Sequence, residues 1–276
     1  MGLIRTGLFD LKHTIDSGQV FSWQSIKGQY LGAIKGTAAR ISQEGDRLEY
    51  ELSSKASADI LRDYFRLDDD LETIYAELNK DPILAKATQK YPGLRLIRQE
   101  PWECMISFMC SVNNNIPRIK GMIRNLSKAY GTEIPFQGSM LNSFPTKEQL
   151  SKASIQDLEK CGLGFRAGWV HAACRAELDL EELKALEYQK AKDRLMQLKG
   201  IGDKVADCVL LFSLGKQEAF PVDVWIRRVM SQLYFKGRKA KDKEIREFAM
   251  HKWQHAGYAQ QYLYHYTRLH KQGHKD

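Results

Sequence analysis

The stretch that decides the fold runs from Leu198 to Arg228 and reads LKGIGDKVADCVLLFSLGKQEAFPVDVWIRR. Gly200 and Gly202 flank Ile201 in a short turn and allow backbone angles other residues avoid. From Asp203 to Leu214 the apolar residues Val205, Cys208, Val209 and Phe212 recur at helical spacing. Lys204 therefore falls in the first turn of a mostly buried helix, where the positive end of the helix dipole disfavours a cation. Cys208 lies one turn on, on the same face. The helix carries the chain roughly 16 Å from Lys204 to Gly215. The segment from Lys216 to Val222 spans about 20 Å when extended, enough to bring Asp223 back beside Lys204. Asp223 precedes VWIRRVM, an amphipathic start, and so reads as a helix N-cap.

Taken singly, these features are bland: a helical hairpin can carry one Gly-x-Gly, an aspartate caps helices, and a lysine is usually solvated. Taken in order and at this spacing, LKGIG, GDKVADC and PVDV resemble the helix-hairpin-helix motif and Gly/Pro-rich loop with its aspartate in the helix-hairpin-helix DNA glycosylase superfamily. Alternatives of other classes are a non-catalytic helix-hairpin-helix DNA-binding module, a structural helical-repeat protein, and a glycosylase for another damaged purine. The first would explain the charge and the glycines but not Lys204 with Asp223. The second explains the apolar helices only. An adenine or alkyl-base enzyme would lack this lysine or carry a cysteine cluster.

Working outward, the 276 residues allow two compact domains or one large one. Hydrophobic content is 43%, typical of a globular chain. No apolar run approaches the ~20 residues of a membrane helix, and MGLIRTGLFDLKHT lacks a signal-peptide core. A soluble, intracellular, monomeric protein with no membrane partner is expected. The net charge of +8 favours a polyanionic partner such as nucleic acid. The five cysteines form no CxxC pair, which argues against structural zinc or an iron–sulfur cluster and for buried, reduced thiols.

The expected fold class is α+β, mainly α. Residues 1–98 should hold an N-terminal antiparallel sheet, from VFSW, YLGAI, ARIS and RLEYEL, plus helices from SADILRDYF, DLETIYAEL and ILAKATQK. Residues 99–276 should form a helical domain with the hairpin at about 186–215 and the aspartate loop at 216–223. Glu181 to Lys199 reads as one helix leading into the hairpin. PWECMISFMCSVNNNIPRIKGMIRNLSKAYG (101–131) reads as two helices broken at Asn113-Asn114-Asn115, with Pro117 in the first turn of the second. Thr146 and Gln149 form a capping box. Leu158 to Arg166 echoes Met196 to Lys204, each with a Gly-x-Gly turn and a cation two residues past its second glycine. It should present Phe165 and Arg166 at an exposed tip. KGRKAKDK (236–243) reads as a solvated basic loop, and two helices close the chain.

The resemblance extends to these segments. GQVFSW (Gly18 to Trp23), which alone reads as a plain strand, is similar to the GQ-x-F-x-W segment of 8-oxoguanine DNA glycosylases. The triple Asn with Arg118 resembles the matching helix of the same enzymes, and AGYAQQYLY resembles their last helix. The resemblance implies a bifunctional 8-oxoguanine glycosylase and abasic-site lyase that acts on double-stranded DNA containing oxidised guanine and needs no metal or organic cofactor. It implies Lys204 as the Schiff-base nucleophile and Asp223 as its electrostatic partner. Gly18, Cys208, Gln260 and Tyr264 would line the base pocket. Phe165 would wedge into the stack, Asn113 would occupy vacated space, and Arg118 and Arg166 would read the estranged cytosine. The backbone at Gly200, Gly202 and Lys204 would hold a phosphate. Two positions depart from the pattern: Phe165 stands where many members carry Tyr, and Trp225 where some carry a phosphate-contacting His.

Overall fold

The computed structural model describes residues 2–272. Five strands, β1 Gly2–Arg5, β2 Gln24–Ile26, β3 Gln29–Ile34, β4 Thr37–Glu44 and β5 Arg47–Leu52, form one antiparallel sheet in the order β1-β5-β4-β3-β2. Strands β3 and β4 alternate, burying Tyr30, Ile34, Ala39 and Ile41. Helices α1 Leu11–Asp16 and α2 Asp59–Tyr64 pack with this face, adding Leu11, Ile15, Leu61 and Tyr64 to a core that Trp23 fills. A Cβ on Gly32 would lie 2.7 Å from the Trp23 ring, so the sheet must be bare there for the indole to seat.

The remaining helices form a second, larger core. They are α3 Leu71–Leu78, α4 Pro82–Lys90, α5 Pro101–Cys110, α6 Ile116–Tyr130, α7 Lys147–Leu150, α8 Ile155–Lys160, α9 Ala167–Ala173, α10 Glu182–Ala185, α11 Tyr188–Met196, α12 Asp203–Phe212, α13 Val224–Leu233, α14 Asp242–Lys252 and α15 Ala256–Gln272. The hairpin β6 Glu133–Phe136 and β7 Ser139–Asn142 lies against the outer side of the large sheet, through Ile134, Phe136 and Ala38. The caps read from sequence, Thr146 with Gln149 on α7 and Asp223 on α13, are present, and Asp81 caps α4 as well.

Two expectations need revision. VFSW is not a strand. Its apolar residues alternate because Phe21 enters the helical core, edge-on to Phe108 at 5.5 Å, while Trp23 enters the sheet core and donates to Tyr64 Oη at 2.9 Å. The segment thus fastens the two cores together. The helix expected over 181–199 breaks at Leu186-Glu187 into α10 and α11, because Leu186 is extended, with ψ 152. Helix α1 and the hairpin β6–β7 are unforeseen elements. The two cores interleave along the chain: Leu71, Ile74, Leu78, Leu84 and Ala87 belong to the helical core, whereas Ile97 belongs to the sheet core.

Candidate active site

Helix α12 begins at Gly202, which is extended (φ −97) and puts no side chain on the first turn's N–H groups. No side chain caps those donors. Gly200 has φ +92, and a Cβ there would stand 2.6 Å from the Trp169 ring. Both the turn and the close approach therefore require glycine. Trp169 also meets Phe165 edge-on at 5.1 Å, so one indole links the two Gly-x-Gly turns. Those turns are alike only in part. Gly162 has φ +93 like Gly200, but Gly164 has φ +54 and leads into a single 3-10 turn, unlike Gly202.

The Lys204 ammonium is half-buried and sits on the end of α5. Its Nζ donates to Ser111 Oγ at 2.9 Å and lies 5.1 Å from the Phe108 ring centroid. Ser111 Oγ in turn donates at 2.6 Å to the Phe108 carbonyl, which also accepts from the Ser111 backbone N–H at 3.1 Å at the end of α5. The hydroxyl's single proton is committed there, so it faces Lys204 as an acceptor. Asp223 caps α13 by accepting from Ile226 N at 2.8 Å. Burial pushes its carboxyl up, against the pull of that backbone bond and the Lys204 charge. The pair is within electrostatic reach yet does not close into an ion pair, which leaves space between amine and carboxylate. Cys208 is buried, and burial lifts its thiol to about 12, so it is a neutral apolar wall despite the Lys204 charge.

Gly18 has φ +85, and its missing Cβ would stand 3.2 Å from Tyr264 and 3.4 Å from Ile116. The turn that holds it is anchored by Gln19. That side chain donates to the Thr14 and Arg95 carbonyls at 3.0 and 2.8 Å and accepts from Ile97 N at 2.8 Å. Gln261 donates to the Ser17 carbonyl at 3.3 Å. Tyr264 is kept protonated by burial and by the Asp223 charge. Gln260 is 5% exposed; its Nε2 donates to the Pro221 carbonyl at 3.3 Å, while its Oε1 is buried without a partner among the described residues. An orphaned buried acceptor costs stability unless a ligand supplies the donor.

Phe165 is 57% exposed at its turn, as the sequence led us to expect. Arg166 is not exposed. It is 6% accessible, and donates through Nε to the Val112 carbonyl at 2.9 Å and through Nη2 to the Asn113 carbonyl at 3.1 Å. The expected exposed tip is thus half right: the guanidinium folds inward, where the Val112, Asn113 and Leu163 carbonyls accept from it. Asn113 itself is exposed, with φ +49, a left-handed angle that Asn tolerates best. Asn115 caps α6 through Arg118 N at 3.1 Å. Arg118 is exposed and close enough to depress the Arg166 guanidinium's proton affinity after burial has done so.

Sequence reading missed a buried ionic group beneath the hairpin. Lys192 Nζ lies 2.9 Å from Asp207 Oδ1 and 3.1 Å from Asp203 Oδ1, and Arg246 Nη2 lies 2.7 Å from Asp203 Oδ1. Tyr188 Oη donates to Asp207 Oδ1 at 2.6 Å. The group ties α11 and α14 to the first two turns of α12, through Asp203 and Asp207 on either side of Lys204 in the chain. An aspartate inside VADCVLL was its one visible signal. Lys192→Met, which leaves Asp207 fully buried, should cost ~3–5 kcal/mol in denaturant unfolding. Lys192→Met with Asp207→Leu should recover part of that loss. If the double variant is the less stable one, the charges are not coupled.

Among the described residues no group of three His, Cys, Asp or Glu side chains could hold a metal, and no helix is long and apolar enough to cross a membrane.

Comparison with known proteins gives the family of the chain. Residues 3–105 match the family model of the 8-oxoguanine DNA glycosylase N-terminal domain. Residues 106–255 match that of the HhH-GPD superfamily base excision DNA repair proteins. The probable N-glycosylase/DNA lyase of Methanothermobacter thermautotrophicus is 31% identical, over 96% of this chain and 95% of that protein. The solved structure of MBOgg1 with a low-affinity DNA ligand superposes with a TM-score of 0.92 at 37% identity, covering 98% of this chain and 96% of that one. The 8-oxoguanine glycosylase/lyase of Clostridium acetobutylicum, solved with double-stranded DNA containing cytosine opposite 8-oxoguanine, gives 0.90 at 34% identity, covering 95% and 93%. A lysine at an open helix start, a half-buried carboxylate within electrostatic reach of it and a Gly18 turn between the first helix and the N-terminal sheet thus occur together in a chain that belongs to the HhH-GPD superfamily of base excision DNA repair proteins, as an 8-oxoguanine glycosylase.

Proposed function

We propose that this chain removes 8-oxoguanine from opposite cytosine in double-stranded DNA through a Schiff base at Lys204, then cuts the strand by β-elimination. It is a DNA N-glycosylase with abasic-site lyase activity, the activity named for its relatives. The observation that carries the mechanism is the Lys204 amine, held on Ser111 at 2.9 Å and not closed onto Asp223. A gap between nucleophile and carboxylate is where a sugar carbon undergoing displacement must sit. The amine attacks C1′ as the bond to N9 breaks. Asp223 stabilises positive charge on the sugar while that bond lengthens. The resulting imine makes a C2′ proton acidic, and its loss expels the 3′ phosphate oxygen.

The lesion must first leave the stack. Phe165 fills the gap as an apolar wedge, and the open N–H groups at Gly202 to Lys204 hold a backbone phosphate. In the pocket, Cys208 and Tyr264 cover the two faces of the base, and Gln260 Oε1 accepts from its Watson–Crick edge. The Gly18 carbonyl accepts from N7–H, which 8-oxoguanine has and guanine lacks. Mixing the protein with a lesion-bearing duplex should yield free 8-oxoguanine and a β-eliminated nick. Release of the base with an intact strand, under conditions where borohydride traps nothing, would overturn the lyase mechanism.

Arg118 and Arg166 would hold the estranged cytosine, whose O2 and N3 accept, while Asn113 occupies the vacated space. Arg166 must exchange the Val112 and Asn113 carbonyls for the base to do so. Arg166→Ala should narrow the gap between lesion:C and lesion:A excision roughly tenfold. Single-turnover rates on both duplexes at fixed salt check this, since phosphate contacts would otherwise enter. Equal slowing of both would leave Arg166 as a brace of the Asn113 turn.

A further inference from the structure

The last helix places a cation beside the Gly18 turn. Arg268 follows Tyr264 by one helical turn on α15 and is half-buried. Its Nη2 donates to the Asp16 carbonyl, at the end of α1. Its guanidinium carbon lies 5.5 Å from the centre of the Tyr264 ring. Its Nη1 stands 3.2 Å from the point a Gly18 Cβ would occupy, as close as Tyr264 itself. A guanidinium carries five N–H donors in a fixed fork, and the Asp16 carbonyl and the Tyr264 hydroxyl engage only part of it.

This position matters because of what the lesion carries there. 8-Oxoguanine differs from guanine at two neighbouring atoms: N7 gains a hydrogen, and C8 gains a carbonyl oxygen. A base whose N7 faces the Gly18 carbonyl presents O8 alongside it, toward the Tyr264–Arg268 side of the turn. We propose that Arg268 is a specificity-determining residue that donates a hydrogen bond to O8, so that the Gly18 carbonyl and the Arg268 guanidinium read the two altered atoms as an acceptor–donor pair. Guanine offers C8–H at that point, which cannot accept and meets a cation edge-on. The two contacts therefore reject guanine independently. The inference rests on the pocket reading given above, in which N7 faces Gly18.

The test is equilibrium binding of duplexes made resistant to excision by a 2′-fluoro sugar, carrying 8-oxoguanine, 8-thioguanine or guanine opposite cytosine. 8-Thioguanine keeps the N7 hydrogen and replaces O8 with a poor acceptor. The wild type should prefer the 8-oxo duplex to the 8-thio duplex roughly tenfold. Arg268→Met, which keeps the apolar stem, should erase that preference, and Arg268→Lys should retain part of it. Thermal melting reports whether either variant perturbs folding. If Arg268→Met weakens both modified duplexes by one factor and leaves their ratio intact, Arg268 only holds the turn and the proposal is overturned. The Gly18 reading fails separately, if the wild type does not prefer the 8-thio duplex to the guanine duplex.

Discussion

Replacing Lys204 with glutamine is expected to abolish the borohydride-trapped complex while lesion binding stays within a few-fold of the wild type. Glutamine nearly matches lysine in length, so the packing on Phe108 and the contact with Ser111 can persist. The amide nitrogen is not nucleophilic, and no imine can form. The side chain is half-buried and closes no ion pair with Asp223, so the exchange breaks no salt bridge, although it withdraws one of the charges that pull the Asp223 carboxyl down. Trapping by the variant at the wild-type level would remove Lys204 from the reaction.

Asp223→Asn should slow base excision by about 10²–10³, the usual effect of losing one preorganised electrostatic group. Stability should change by no more than ~1 kcal/mol, because asparagine caps helices nearly as well as aspartate. The pH dependence gives a second check. Burial raises the folded-state pKa of this carboxyl above its unfolded value. The unfolded chain therefore releases the proton more readily, and ionisation of Asp223 lowers stability as pH rises through that interval. For activity the sign is opposite: the carboxylate is required, so the acid limb of single-turnover excision should lie above the ordinary aspartate value of about 3.9. Asp223→Asn should lose that limb. A large loss of folding stability with unchanged excision would make Asp223 a cap and nothing more.

How far the sequence could be read depended on where each interaction lies. The Lys204 helix and the Asp223 cap were legible because helix periodicity, glycine turns and cap chemistry are local. So was the return loop, whose reach follows from chain length. Arg166 was misplaced because its partners are the backbone carbonyls of Val112 and Asn113, which a string of side-chain names does not display. Ser111 escaped notice for a related reason: its role depends on α5 ending beneath α12, a contact between residues 93 apart. VFSW looked like a strand because two cores on opposite sides of an irregular segment impose the same alternation as a sheet. The Lys192–Asp207 pair spans only 15 residues, but neither a lysine nor an aspartate in an apolar stripe names its partner.

The central claim is that one identified amine carries the bond to DNA. It is tested most directly by incubating the wild-type protein with a duplex bearing 8-oxoguanine opposite cytosine in the presence of borohydride, digesting the product, and locating the modified residue by mass. A reduced sugar adduct on Lys204 alone is the expected result. An adduct on another lysine, or none while free base is still released, would contradict it.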